Sequence, residues 1–375
     1  MLKVMHILGG RYKCGVATHV FNLAQGLKNE IDIILVLFHQ GEVEQEAKKQ
    51  GIRTIRLKRK IPGDPHFILD LVRLIKKEDP NIIHTHTINS NFYGRLTAFL
   101  SRYKVITTVH TYMHEVVKDL YKSVFIQKLV LWQNDFTAKY ADGFIATSLG
   151  IKNVLLKKGI PAHKIYLIYN GLDWHIYEKV SLDLKKVKNK LGIKEGEKVV
   201  GCISRLVPIK GISSLLFAIH RLSKIIPNIK VLIVGEGPLK ADLEFLARKL
   251  KINDKVIFTG FCQDILPCLK VIDVFVIPSF FESCPYSLLE AMAMGKPVVA
   301  RAVGSLPEII EADKTGILFQ NDEELIDAMA RLLQSPYLGE KMGKEAKRRI
   351  KDKFSLEKMC FLTKKVYFQI LRSKR

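Results

Sequence analysis

Short apolar runs, rich in β-branched residues, recur along almost the whole chain, and longer amphipathic stretches separate them. In the first half the runs are KVMHIL (3–8), IDIILVLF (31–38), IRTIRL (52–57), NIIHTH (81–86), KVITTVH (104–110), GFIATS (143–148) and KIYLIYN (164–170). In the second half they are KVVGCIS (198–204), IKVLIVG (229–235), KVIFTG (255–260), VFVIPS (274–279), PVVA (297–300) and GILF (316–319). A strand that is apolar without alternation must be covered on both faces. The stretches between them have helical spacing: VATHVFNLAQGLK (16–28) puts Val20, Leu23, Ala24 and Leu27 on one side of a helix. Helices between such strands imply right-handed crossovers and a parallel sheet. The expected class is α/β, doubly wound.

The rhythm also restarts. A polar, Lys-rich stretch over 171–197 interrupts the strands, and a fresh strand–loop–helix pattern opens at 198. With 375 residues against roughly 100–200 per domain, the chain is read as two Rossmann-like domains joined near 171–180. Two such sheets facing each other would enclose a cleft. Residues 354–373 read as one amphipathic helix with no strand after it.

Exclusions follow from what is missing. No apolar run approaches the ~20 residues of a membrane-spanning helix. The opening MLKVMHILGG reads as a strand and a glycine pair rather than a signal peptide. Cysteines 14, 202, 262, 268, 284 and 360 form no CxxC pair and no zinc-spaced cluster, so reduced cysteines in the cytoplasm are expected. The net charge is +23, spread as +11 over 1–180 and +12 over 181–375. It suits an anionic partner, or merely a lysine-solvated surface. The even spread and the lack of aromatic–basic interleaving argue against nucleic acid. Two basic clusters stand out, RTIRLKRK (53–60) and KMGKEAKRRIKDK (341–353). The first is a candidate for an anionic membrane surface.

In open parallel sheets ligands bind beyond the carboxyl ends of the strands. After strand 198–204 come Arg205, Lys210 and Gly211, then a helix. Two cations at a helix N-terminus suit a phosphate, though strand-end surface cations would look the same. GEGP (235–238) is a close-approach loop or a plain turn. The GxGxxG fingerprint with its downstream acid is absent, which speaks against a nicotinamide cofactor. FFESCPYSLLEAMAMGKPVVA (280–300) places Glu282 in a loop and Glu290 in a helix otherwise made of Leu, Ala and Met, opened by Pro285 and ended at Gly295. An acid in so apolar a helix needs either a core cation or a ligand. Their separation, ~10–12 Å, exceeds that of glycosidase carboxylate pairs, so the two acids suit different parts of one long ligand. Gly9, Gly10 and Gly15 form a loop ahead of the first helix. His84 and His86 end the fourth strand and His110 the fifth, and such histidines are expected to face the cleft rather than the core. No HExxH or carboxylate triad accompanies them, so no metal site is expected.

With these residues in place, the chain resembles the retaining, nucleotide-sugar-dependent glycosyltransferases of the GT-B fold, specifically family 4. The matching segments are the glycine loop at 9–15, PNIIHTHT (80–87), TTVHTY (107–112), ADGFIATS (141–148), IYNGLD (168–173), SRLVPIKG (204–211), VGEGP (234–238), FTGF (258–261), the ESCPYSLLE block through PVVA, VGSLPEII (303–310) and KTGILF (314–319). The resemblance implies an acceptor-binding domain at 1–172, joined by a terminal helix at 355–375, and a donor-binding domain at 173–354. It implies that Arg205 and Lys210 neutralise the donor diphosphate. Glu290 would accept hydrogen bonds from the ribose. Glu282, with Ser283 and Cys284, would hold the transferred hexose, and Phe261 and Cys262 would contact the base. Gly15 would approach the diphosphate, and His110 would lie near the sugar and the acceptor. In the family two glycines usually precede the first helix; here the pair is Cys14-Gly15. No Asp-x-Asp occurs, so neither a metal ion nor another cofactor is expected. The implied donor is a UDP- or GDP-hexose, and the implied acceptor a glycan or lipid-linked molecule at the inner face of the cytoplasmic membrane. The competing readings are a GT-B-like sugar-nucleotide epimerase or phosphorylase relative, and a catalytically inactive nucleotide-sugar-binding protein.

Overall fold

The structure, a computed structural model, describes residues 1–10, 14–57, 65–179 and 181–373. The chain forms two compact units, Met1–Gly171 with Leu356–Arg375, and Leu172–Ser355. Among the described residues no helix is long and apolar enough to cross a membrane.

The first unit holds strands β1 (Leu2–Leu8), β2 (Ile31–Leu37), β3 (Arg53–Arg56), β4 (Ile82–Thr85), β5 (Lys104–Val109), β6 (Gly143–Ala146) and β7 (Ile165–Leu167). They pair in the order β3-β2-β1-β4-β5-β6-β7, all parallel. Every residue of β4 is buried, as a strand covered on both faces must be. One face of the sheet packs on helix Gly15–Leu27 and the terminal helix Leu356–Arg372, through Val20, Leu23, Met359, Val366 and Ile370. Each such side chain, fully buried, contributes about 1.5–3 kcal/mol. The two helices approach closely at Gly26, where a Cβ would stand 2.5 Å from Cys360 Sγ. The other face is covered by helices Pro65–Glu78 and Ile88–Ser101, through Phe67, Leu71, Tyr93 and Ala98.

The second unit holds β8 (Lys198–Ile203), β9 (Ile229–Val234), β10 (Val256–Gly260), β11 (Val274–Ile277), β12 (Val298–Arg301) and β13 (Ile317–Phe319). Their order is β10-β9-β8-β11-β12-β13, again parallel. The chain winds outward one way from β1 and β8, then restarts beside them at β4 and β11. Each unit therefore has one switch point, β1/β4 and β8/β11, where neighbouring strand-end loops splay apart and leave room for a ligand.

The apolar runs locate the thirteen strands of the described residues to within three residues at each end. The polar stretch 171–197 is less featureless than it reads, because it carries helices His175–Glu178 and Leu184–Lys190. The second is started by Asp183, whose side chain accepts from the Lys186 backbone N–H. Pro238 stands in a turn ahead of a helix that opens at Lys240.

Candidate functional site

At the second unit's switch point two loops are tied together by backbone. The loop after β8 carries exposed Arg205, then a 3₁₀ turn Pro208–Lys210, then Gly211 at φ +65° ahead of helix Ile212–Leu222. A Cβ on Gly211 would lie 2.3 Å from the Pro278 carbonyl oxygen in the loop after β11, so only glycine permits this approach. The Phe280 N–H donates to the Ile209 carbonyl across the same junction at 2.8 Å. The junction brings Lys210 Nζ to 2.6 Å from Glu282 Oε1. Ser279 Oγ donates to the same oxygen at 2.7 Å. Glu282 is buried, and this pairing and hydrogen bonding offset the cost of burying such a group. Its backbone is clamped too. Ser305 N–H donates to the Glu282 carbonyl at 3.1 Å, and a Cβ on Gly304, at φ +56°, would stand 1.8 Å from that oxygen.

Neighbouring residues follow. Ser283 and Cys284 are buried directly after Glu282. Burial first, and the Glu282 charge in addition, push the Cys202 thiol up to about 12, so it is no nucleophile. The guanidinium of Arg301 stacks 4.8 Å from the Phe280 ring and donates to the Pro278 carbonyl at 3.2 Å, bracing the loop. Arg205, by contrast, has no ion-pair partner among the described residues. The loops thus present an exposed cation at Arg205 and a positioned one at Lys210, beside a helix N-terminus, an arrangement that attracts anions.

Glu290 sits half-buried in helix Tyr286–Ala293, which Pro285 caps and Gly295 follows at φ +69°. The hydroxyl of Tyr177, on helix His175–Glu178, donates to Glu290 Oε1 at 3.3 Å. Burial, then the Glu290 charge, raise the Tyr177 phenol above its usual range, so it stays a donor. A tyrosine that the sequence did not single out thus stands beside Glu290. Phe261 and Cys262 follow edge strand β10; Phe261 is exposed, and the Cys262 thiol donates to Thr259 Oγ1 at 3.5 Å.

The first unit's switch point is built from imidazoles. Gly15 is the first residue of its helix, preceded by exposed Cys14; Arg11, Tyr12 and Lys13 lie outside the described residues. His84 and His86, expected at the open end, are instead fully buried, and His6 and His19 join them. The reason is that β1 and β4 are central strands, so their side chains at the switch point are roofed by helix Gly15–Leu27 and the terminal helix. Only His110, just past β5, is half-exposed. A hydrogen-bonded chain runs from Thr108 Oγ1 to His84 Nε2 (2.7 Å), from His84 Nδ1 to the Tyr367 hydroxyl (2.7 Å), and on to His6 Nε2 (3.4 Å). It continues from His6 Nδ1 to His86 Nε2 (2.8 Å) and from His86 Nδ1 to His110 Nε2 (3.3 Å). Each neutral imidazole has one N–H and one acceptor nitrogen, so the whole chain can run in either of two directions.

Burial lowers all five histidines. His6 falls to about 3, with the His19 charge adding to desolvation, and His19 to about 4, where its bond to Asn170 Oδ1 (2.9 Å) opposes the shift. His84, His86 and His110 lie well below the ordinary range for the same first cause. The trios His6–His84–His86 and His19–His86–His110 each bring ligand nitrogens within 4.8 Å, and His19 Nε2 is buried without a partner among the described residues. Sequence reasoning missed His6, His19, Tyr177 and Tyr367. A histidine inside the apolar run KVMHIL was the one signal available for any of them.

Two family models match the chain. "Glycosyltransferase Family 4" covers residues 14–174, and "Glycosyl transferases group 1" covers residues 183–349. Among similar curated proteins is the UDP-Gal:alpha-D-GlcNAc-diphosphoundecaprenol alpha-1,3-galactosyltransferase of Escherichia coli. It is 30% identical over 83% of this chain and 81% of its own length. An uncharacterized glycosyltransferase of Methanocaldococcus jannaschii is 28% identical over 94% of both chains. Among solved structures, Anabaena HepE in complex with UDP-glucose superposes with a TM-score of 0.86 at 20% identity, covering 98% of this chain and 99% of its own.

Proposed function

The chain belongs to the glycosyltransferases of family 4, with the GT-B fold, and we propose that it moves a hexose from a nucleoside-diphosphate sugar to a glycan or lipid-linked acceptor, with retention at the anomeric carbon. The observation that carries this reading is the Lys210–Glu282 pair at 2.6 Å, held beside exposed Arg205 where the β8 and β11 loops part.

In this reading Arg205 and Lys210 take the diphosphate. When the bond from the anomeric carbon to the phosphate oxygen breaks, negative charge grows on that oxygen. Cations already in position stabilise it without reorganising. They supply the charge that a bridging metal ion would otherwise bring, so the diphosphate needs none. Glu282 accepts from hexose hydroxyls, with Ser283 and Cys284 beside it. Glu290 accepts from the ribose, and Tyr177 holds its carboxylate in place. Phe261 and Cys262 border the base, and Gly15 lets backbone approach the diphosphate. His110, kept neutral by burial, can donate to or accept from a sugar hydroxyl without adding charge. The acceptor hydroxyl attacks the anomeric carbon on the face the phosphate leaves, and its proton passes to that phosphate. The E. coli relative is named for a lipid-diphosphate acceptor and a UDP-sugar, which supports a membrane-borne acceptor and puts uridine first among the bases to test. The enzyme then works at the cytoplasmic face, attached peripherally.

Thermal-shift screening against UDP-, GDP- and ADP-sugars tests the donor: a ligand at 100 times its Kd stabilises by about 2.7 kcal/mol. NMR of the product formed from the stabilising sugar then reads the anomeric configuration. An absence of stabilisation by every nucleotide sugar overturns the reading; an inverted product overturns retention alone.

A further inference from the structure

Helix Val124–Ala138 of the first unit is turned inside out relative to its neighbours. Its buried side chains are Asn134 and Thr137. The opposite side carries Phe125, Leu129, Trp132 and Phe136, spaced i, i+4, i+7 and i+11 and so within one narrow stripe. Phe125 is 76% exposed and Trp132 61%. The apolar surface does not stop at the helix. Trp132 stacks on Phe136 at 5.3 Å, Phe136 meets Tyr140 at 6.1 Å, and Tyr140 stacks on exposed Phe99 at 4.2 Å. A continuous exposed band of this kind marks an interaction surface.

Charge identifies the occupant. Lys128 and Lys139 border the stripe, and Lys139 Nζ lies 4.0 Å over the Phe136 ring. At that end the band opens into a concavity of about 800 Å³ whose lining includes Arg102, Lys139, His163 and Lys164. Among the described residues the acids bordering the band are engaged: Asp135 by Lys158 at 2.6 Å, and Asp142 by Lys104 at 3.2 Å. The uncompensated charge around the band is therefore positive. A second copy of this chain, itself at +23, would set lysine against lysine across the same face. An anionic bilayer satisfies both halves of the surface. Aromatic rings settle at the headgroup level, and lysine stems lie along them with their ammonium groups at the phosphates.

We propose that this face of helix Val124–Ala138, with Phe99 and Tyr140, docks the protein on an anionic lipid surface. The proposal rests on the reading that the acceptor is membrane-borne. It moves the docking role away from the basic cluster at 53–60. There Arg53 is paired with Glu78 at 2.9 Å and Arg56 with Glu44 at 3.4 Å, while Lys58, Arg59 and Lys60 lie outside the described residues.

The chain has two tryptophans, so Trp174→Phe leaves Trp132 as sole reporter. Vesicles of equal parts phosphatidylglycerol and phosphatidylcholine should co-sediment the full chain and shift Trp132 emission to shorter wavelength. Phosphatidylcholine alone should do so weakly, and added salt should weaken both effects. Phe125→Gln with Trp132→Gln should lower vesicle affinity about 100-fold, roughly tenfold per ring. Lys128→Gln with Lys139→Gln should lower it about tenfold or more. Binding of uridine or guanosine diphosphate, measured by calorimetry, should be unchanged in every variant. Three results would overturn the docking: no binding to the anionic vesicles, vesicle binding unaffected by Phe125→Gln/Trp132→Gln, or a wild-type dimer that this double change converts to monomer. With nucleotide binding intact, such a failure leaves the donor site standing. Vesicle binding in a protein that binds no nucleotide supports the docking and overturns the catalytic reading instead.

Discussion

The two switch points stand on near-identical scaffolds and are filled in opposite ways. Both lie where a parallel sheet reverses its winding, at β1/β4 and at β8/β11. The first holds His6, His19, His84, His86 and His110, all neutral; His84, His6, His86 and His110 are linked with Tyr367 into a polar spine that ends at His110, and His19 stands beside it, bonded to Asn170. The second holds Lys210, Glu282 and Arg205 on loops whose backbones interlock through Gly211 and Gly304. Central strands roofed by helices desolvate whatever they carry, and imidazole answers by losing its proton. Loops beyond the strand ends instead bring an ammonium and a carboxylate together as an ion pair. The lesson is that the same architecture offers a neutral hydrogen-bonding site or an ionic one, according to whether helices roof the side chains at the switch point.

The largest effect that would break this contrast is loss of the ionic site. Lys210→Ala should cut transfer about 10²–10³-fold, the usual consequence of removing one preorganised contact to developing charge. Circular dichroism should show the fold retained, and near-wild-type turnover would remove Lys210 from the site. Next comes the division of labour. Glu290→Gln should weaken binding of the bare nucleoside diphosphate about 10–100-fold, since bonds to a charged acceptor are worth about 1.5–3 kcal/mol. His110→Ala should leave that binding within about threefold and lower kcat about tenfold. Calorimetry and steady-state kinetics read both, and equal losses of nucleotide binding would erase the distinction.

A smaller effect sharpens the comparison through pH. His6 and His19 have folded values near 3 and 4, below the ordinary 6.5, so between these limits the unfolded chain binds more protons than the native one. Their contribution is fully present above pH 6.5 and is lost as pH falls toward 4. In the second unit burial lowers Lys296 to about 8, so it is protonated throughout that range. Calorimetry from pH 7.5 to 5 should therefore lower the melting of the first unit by several degrees and leave the second nearly still. Equal acid sensitivity would mean the imidazoles are not desolvated. The smallest expected effect is that of a chelator: transfer should proceed at an unchanged rate in EDTA, and a strict divalent requirement would mean that Arg205 and Lys210 do not suffice for the diphosphate.

Much of this was legible in the primary structure. Uniform apolar runs such as IDIILVLF can be stable only when both faces are covered, which dictates parallel sheets, and their restart at 198 marks the second sheet. Charged residues on the strand-end loops were also legible: Lys210 and Glu282 stand out in SRLVPIKG and FFESCPYS, and the fold joins them. His84 and His86 were misjudged. Their position at a strand end is local information, whereas their burial depends on the terminal helix, whose Tyr367 arrives from 283 residues away to bond His84. Tyr177 was hidden in the same way, inside a polar stretch that carries no sign of its approach to Glu290.

Sequence by itself therefore determined the elements, their class and the loop residues that carry charge, since periodicity and turn chemistry act over a few residues. Tertiary structure alone decided which side chains lose water and which face of helix Val124–Ala138 stays bare. Desolvation and exposure are sums over neighbours distant in the chain, and no local pattern encodes them.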